Sequence, residues 1–163
     1  MGDGPEIRTA GPDDAEFLTD MLVEAANWPS HVDRSRAETL ADPAIAHYVA
    51  GWPKDTDLGV VAIDEDRPVG AAWLRLFSET EPGYGFVAAD VPELAIGVVA
   101  DRRGRGVGRA LLRALADTAR LAGIESISLS VERANRAIGL YRAEGYRTVA
   151  TGDHADTMLL DLR

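Results

Sequence analysis

The sequence predicts an α/β chain: a central mixed sheet with helices on both faces. Two observations carry that expectation. Apolar segments with strand-like and helix-like periods follow the order β-α-α-β-β-β-α-β-α-β-β, which is neither a strict βαβ alternation nor all-β. At 163 residues, 46% of them hydrophobic, the chain is long enough to bury a substantial core as a single domain, residues 1–163. Internal repeats, low-complexity tracts and linkers are absent from the sequence.

Residues 1–5 read as a loose terminus and residues 7–10 as a short strand. Gly11-Pro12-Asp13-Asp14 starts a helix, with proline early and acids in the first turn. Phe17, Leu18, Met21, Leu22 and Ala25 give that helix an apolar face up to Asn27, and Trp28-Pro29-Ser30 breaks it. A second helical stretch covers residues 34–50, interrupted or restarted at Asp42-Pro43. Residues 58–63 and 69–77 form a hairpin around a turn at residues 64–68, and residues 78–91 read as a long irregular loop. Leu94 to Val99 is short, apolar and partly β-branched, as a buried strand would be. Val107, Leu111, Leu115, Thr118 and Ala122 recur at steps of four, four, three and four, one face of a helix that Gly123 closes. Ile127, Leu129 and Val131 alternate with Ser126, Ser128 and Ser130, a half-buried strand with a polar face. Residues 135–144 are a short helix ending at Gly145, and residues 146–151 and 157–162 are the last strands.

The stretch joining the apolar strand to the long helix carries the chemistry. Its backbone passes through Ala100, Arg103, Gly104, Arg105, Gly106, Val107, Gly108 and Arg109. The N–H groups of a helix's first turn have no partner inside the helix, and the macrodipole places partial positive charge there. Glycines at 104, 106 and 108 permit close approach and positive φ, and Arg102, Arg103, Arg105 and Arg109 surround those donors with cations. This is a phosphate cradle on physical grounds. It is not a Walker A loop, because Gly108 is followed by Arg109-Ala110 rather than Lys-Ser/Thr. Nor is it a dinucleotide fingerprint, which needs glycine where Arg109 stands.

Charge agrees with a small polyanionic ligand. The net charge is −10, yet residues 101–113 hold five arginines and one aspartate, a local +4 that leaves −14 elsewhere. That balance argues against broad nucleic-acid binding. No run of eighteen apolar residues is available to span a membrane, and residues 1–20 hold no signal-peptide core, so a cytoplasmic protein is expected. With no cysteine and no HxxxH or HExxH spacing among His31, His47 and His154, no metal site is expected. A Gly-x-Ser-x-Gly elbow is missing as well.

Arg103-x-x-Gly106-x-Gly108 after a strand resembles the acyl-CoA pyrophosphate loop of the GNAT superfamily of N-acetyltransferases. Asn135-Arg136-Ala137-Ile138-Gly139-Leu140-Tyr141, running on to Gly145-Tyr146, resembles that family's Asn-x-x-Ala-x-x-Leu-Tyr-x-x-x-Gly-Phe/Tyr segment, with alanine and glycine shifted to 137 and 139. The element order is also similar to the GNAT fold, so the resemblance covers nearly the whole chain. It implies a mostly antiparallel mixed sheet, acetyl-CoA as cosubstrate, no metal, and room for a homodimer. It further implies that Asn135 contacts the coenzyme, and that Tyr141 lies near its sulfur and protonates the leaving thiolate. The pantetheine arm would pair with a bulged strand at Val98, Val99 and Ala100, where backbone N–H groups polarise the thioester. Glu93, which opens the same strand, would be the base, directly or through water, once burial raised its pKa; Asp90 is the reserve. Trp28, His31, Trp52, Trp73, Tyr84 and Phe86 are candidate walls for the acceptor.

The activity implied is transfer of acetyl from acetyl-CoA to a primary amine, in particular a cationic one, because Glu79, Glu81, Asp90 and Glu93 crowd the bordering segments. A protein or peptide N-acetyltransferase and a non-catalytic acyl-CoA sensor share the same pyrophosphate loop and stay open.

Overall fold

The computed structural model describes residues 4–29 and 31–163. The expected loose terminus over residues 1–3 and the Ser30 position of the expected helix break lie outside the described residues. Seven strands form one sheet in the order β1-β2-β3-β4-β5-β7-β6. They are β1 (Glu6–Thr9), β2 (Leu58–Asp64), β3 (Arg67–Arg75), β4 (Glu93–Val98), β5 (Ser126–Glu132), β6 (Arg147–Thr151) and β7 (Ala155–Asp161). Every neighbouring pair is antiparallel except β4 with β5. The helices are α1 (Ala15–Ala26), α2 (Arg36–Leu40), α3 (Pro43–Ala46), α4 (Val107–Leu121) and α5 (Ala137–Ala143).

Strand alternation sorts the side chains onto two faces. Val60, Ala62, Ala72, Leu74, Leu94, Ile127 and Leu129 pack under Leu111, Leu112 and Leu115 of α4 and Tyr141 of α5. Val61, Ala71 and Trp73 face Leu18, Met21 and Leu22 of α1 and Ile45 of α3. The helical stretch over 34–50 is split as expected: Ser35 caps α2, accepting from the Glu38 N–H at 3.0 Å, and Asp42 caps α3 ahead of Pro43.

Two local expectations are corrected. The β2–β3 turn spans Glu65-Asp66 alone, both with positive φ (53° and 63°), and Asp64, Arg67 and Pro68 belong to the strands. Such a tight turn matches strand twist without a longer loop. On α4 the buried face ends with Ala119 rather than Ala122, which is exposed. There the Ile124 N–H reaches back to the Ala119 carbonyl and the Gly123 N–H to that of Arg120, both at 3.0 Å, a Schellman closure that ends the helix.

Candidate active site

β4 runs directly into the arginine–glycine segment. After a 3-10 turn at Ala100–Arg102, the chain reaches Gly104 and Gly106 with φ of +74° and +84° and enters α4 at Val107. The Ala110 N–H makes the first rung of the helix, to the Gly106 carbonyl at 3.1 Å, so those of Val107, Gly108 and Arg109 precede the ladder. A Cβ at Gly104 or Gly106 would meet nothing within 4 Å. Left-handed backbone, not crowding by the protein, demands these glycines, whose Cβ positions face open space. Gly108 departs from expectation: its φ is not positive, and it sits in the first turn of α4 facing Leu140.

The arginines are less free than their clustering suggests. Arg102 is turned to the β2–β3 hairpin and pairs with Asp64 at 2.8 Å, so it does not border the cradle donors. Arg103 pairs with Glu24 of α1 at 2.8 Å, while Arg109 and Arg113 share Glu144. Among the described residues Arg105 makes no ion pair. The local positive charge is therefore partly neutralised by acids that fold against it.

β4 and β5 meet at a single register position, Glu93 beside Ser128. The Ser128 N–H donates to the Pro92 carbonyl at 3.0 Å, and beyond this point the strands no longer pair. Alternation along β4 turns the N–H groups of Ile96 and Val98 toward the diverging side. The expected bulge is not found against β3, where Gly70 through Arg75 pair in unbroken register with Val98 through Glu93. The Val99 N–H is also taken, donating to the Val69 carbonyl at 2.9 Å. The Val98 N–H thus points away from β3, the Val99 N–H does not, and Ile96 joins as a donor that the sequence did not single out.

Glu93 is almost wholly buried, at 2% exposure, while Asp90 lies exposed in the preceding loop. The Tyr48 hydroxyl donates to Glu93 Oε2 and accepts from the Tyr84 N–H at 2.8 Å. Glu93 Oε1 has no well-formed hydrogen bond, and neither does the buried Ser128 hydroxyl beside it. Gly83 presses the long loop onto this pair so closely that a Cβ there would collide with the carboxylate and the Tyr48 hydroxyl. Burial pushes the Glu93 carboxyl up to about 7, against the opposing pull of the Tyr48 hydroxyl and the Gly85 N–H. Burial and the adjacent carboxyl hold the Tyr48 phenol far above its ordinary value, so it remains a donor.

Tyr141 lies on the other face of the sheet, edge-on to Tyr146 with ring centroids 5.9 Å apart. Burial raises its phenol to about 12, and its hydroxyl bonds to no described residue. Asn135 uses its side-chain oxygen to hold the Ala137 N–H at 2.9 Å, fixing the start of α5. Of the aromatic candidates, Trp52 and Trp73 are core residues whose indoles donate to the Gly11 and Tyr48 carbonyls. Tyr84 is exposed and stacks on Tyr48, while Trp28 and His31 line a cleft of about 540 Å³. Among the described residues no His, Asp and Glu side chains gather as a metal site, and no helix is long and apolar enough to cross a membrane.

The family model for the acetyltransferase (GNAT) family matches residues 19–146. The chain belongs to that family. Comparison with curated proteins by sequence finds no match. Solved GNAT-type structures share the fold. The yncA protein of Salmonella typhimurium, solved with its cofactor acetyl-CoA, is 23% identical with a TM-score of 0.71, over 99% of this chain and 95% of that one. The PaiA N-acetyltransferase of Thermoplasma acidophilum, solved with coenzyme A, is 16% identical with a TM-score of 0.68, over 98% and 99%. A ribosomal-protein-alanine N-acetyltransferase from Brucella melitensis is 27% identical with a TM-score of 0.67, over 94% and 96%. This protein is thus a GNAT acetyltransferase with the mixed, mostly antiparallel sheet of that fold.

Proposed function

We propose that the protein moves an acetyl group from acetyl-CoA to the primary amine of a small, cationic acceptor. The observation that carries this reading is a buried carboxyl with a pKa raised to about 7, placed where β4 parts from β5 on the strand that feeds the anion cradle. A base poised near neutrality takes a proton from an arriving ammonium, which otherwise has no lone pair to attack with. Acetyl-CoA, when bound, supplies the activated thioester.

The residues divide the remaining work. The N–H groups of Gly104 through Arg109 hold the pyrophosphate, with Arg105 adding charge. The backbone of Val98 and Ala100 pairs with the pantetheine arm, and the Ile96 and Val98 N–H groups polarise the thioester carbonyl. Asn135 shapes the turn into α5 beside it. Glu93 accepts one proton from the ammonium, Tyr48 orients its carboxylate, and Tyr141 protonates the sulfur as the C–S bond breaks and the N–C bond forms, the second proton shed by the nitrogen replacing the one Tyr141 gives up. Glu93 and Tyr141 face opposite sides of the sheet, which suits an amine entering from the α1–α3 side and a thiol departing toward α4 and α5. The setting we assign is a single-domain cytoplasmic enzyme, monomeric or homodimeric.

A second reading, an enzyme acting on the N-terminal amine of a protein, draws on the 27% identity to the Brucella protein. An acetyl-CoA-dependent thiol-release screen across small amines and N-terminal peptides decides between the two. Small cationic amines should lead, with an advantage that shrinks as salt screens the field; peptides leading would favour the second reading. Coenzyme binding without turnover on any amine would favour a sensor.

A further inference from the structure

A row of charge crosses three neighbouring strands beside the base, and the catalytic reading leaves it unexplained. β2 pairs with β3 at Leu58 and Leu74, which sets Asp57, just before β2, opposite Arg75. β3 pairs with β4 at Arg75 and Glu93. Alternation puts Arg75 and Glu93 on the face that carries Trp73, under α1 and α3. Directly opposed residues of an antiparallel pair stand within reach of each other, so a single cation lies between two acids. It serves only one of them. Arg75 Nε and Nη2 donate to the two oxygens of Asp57 at 3.2 and 2.7 Å, with both side chains 1% exposed. Nη1 donates to the His47 and Ala50 carbonyls at 3.0 and 2.6 Å. Four of the five guanidinium N–H groups are thereby committed. None reaches Glu93, whose Oε1 stays without a partner among the described residues.

The same grip reaches Glu93 by a second route. Trp73, two residues before Arg75 on the same face, donates its indole N–H to the Tyr48 carbonyl at 2.8 Å. Trp73 and Arg75 thus anchor the carbonyls of residues 47, 48 and 50 onto β3, and from there the Tyr48 hydroxyl spans to Glu93 on β4. The polar groups around Glu93 come from every neighbouring element: Tyr48 beyond α3, the Tyr84 and Gly85 N–H groups of the loop, Ser128 of β5 and Arg75 of β3. His47 packs on Phe77, where Glu81 and Lys54 are the charges acting on it besides Arg75. Of these groups Arg75 is the cation directly opposite Glu93. A guanidinium turned toward the carboxyl would favour its ionised form by about one to three pH units and make it a weak base. Burial and the hydrogen bonds from Tyr48 and Gly85 act on it instead.

The geometry points to Asp57 as a positioning residue for the base: it draws the guanidinium of Arg75 away from Glu93 and, through Arg75, fixes the turn that carries Tyr48. This inference rests on Glu93 acting as the proposed base. Asp57 itself acts at one remove, through its hold on one cation. Without that hold, Arg75 keeps its charge and has Glu93 as the carboxyl opposite it, in a buried setting that strengthens their attraction. Replacing both partners by apolar side chains removes the cation together with its holder.

The test follows the Glu93 carboxyl by carbon NMR, assigned with Glu93→Gln, alongside the pH profile of kcat/KM, with circular dichroism verifying each fold. Asp57→Asn should move the carboxyl titration and the acid limb downward by about one pH unit or more. Its high-pH plateau should fall, as expected of a weaker base. Asp57→Glu, which keeps the charge, should move both less than Asp57→Asn. The double variant Asp57→Leu with Arg75→Met should move neither downward. With the cation gone, both readouts should lie between wild type and Tyr48→Phe, since the freed turn at most releases the Tyr48 hydroxyl. That double variant carries the test alone if Asp57→Asn does not fold, because apolar replacement of a buried ion pair is often neutral. An unmoved titration in Asp57→Asn, a downward move in the double variant, or a double variant displaced beyond Tyr48→Phe overturns the inference. Amine acetylation by wild type in the same samples would then leave the acetyltransferase reading standing. The expected titrations in a protein that acetylates no amine would uphold the hold of Asp57 on Arg75 and remove the proposed function.

Discussion

Replacing Glu93 by glutamine deletes a charge with little change of shape, and its consequences can be worked from burial. The carboxyl titrates near 4.5 when exposed and at about 7 in the folded chain. Between those values the folded protein keeps a proton that the unfolded chain has released. The stability this contributes is complete below pH 4.5 and is lost as pH rises through 7, a swing of about 3 kcal/mol at about 1.4 kcal/mol per pH unit. Urea unfolding of wild type and Glu93→Gln, at about pH 5 and about pH 8, measures it by difference, so other titrating groups cancel. Wild type should lose about 2.5 kcal/mol relative to the variant across that range, since the loss has begun by about pH 5. Kinetically, wild-type kcat/KM should rise with pH about an apparent pKa of 7, and Glu93→Gln should fall by about 10²–10⁴. Tyr48→Phe removes the donor that favours the carboxylate, so its acid limb should move upward by about one pH unit while the high-pH plateau is largely kept. Parallel pH–stability curves for wild type and Glu93→Gln, or an unmoved acid limb in Tyr48→Phe, would contradict a Glu93 carboxyl raised by burial and oriented by Tyr48.

Other perturbations have equally definite outcomes. Gly106→Val forces a β-branched residue to a φ of +84° and fills the open space that its Cβ position faces, so coenzyme A affinity by calorimetry should collapse while the circular dichroism spectrum persists. Tyr141→Phe should lower kcat by about 10²-fold or more with coenzyme affinity nearly retained, as expected for a lost general acid. Asp57→Asn should destabilise the fold by about 3–5 kcal/mol in denaturant unfolding, because it strands Arg75, which pairs with Asp57 at 2.7 Å with both side chains 1% exposed.

What the sequence disclosed and what it hid follow from the range of the interactions. The cradle was legible because a strand, a left-handed glycine and a helix start are local facts. Gly104 and Gly106 adopt positive φ where expected. Gly108 does not, since spacing alone cannot say which glycine bends the chain and which makes room for Leu140. Tyr48 was missed because its hydrogen bond to Glu93 spans 45 residues, and its own neighbourhood reads as an ordinary helical turn. The serine face of β5 reads as polar, yet Ser128 is fully buried, beside Glu93 and next to the Leu129–Ser130 backbone on which Gly85 packs. Arg102 reads as a phosphate ligand in the sequence, yet Asp64, 38 residues away, holds it. The parting of β4 from β5 has no signature in either strand. It exists only in their pairing.

Acetyl transfer with Glu93 as the base is read most plainly by a coupled measurement. Protein, acetyl-CoA labelled in its acetyl group and a panel of primary amines are incubated together. Free thiol and labelled acetyl-amine are then quantified in the same sample. Wild type should produce the two in equal amounts at a rate far above the uncatalysed background, and Glu93→Gln should slow both together. Thiol release with no acetylated amine, or equal rates for the two proteins, would contradict it.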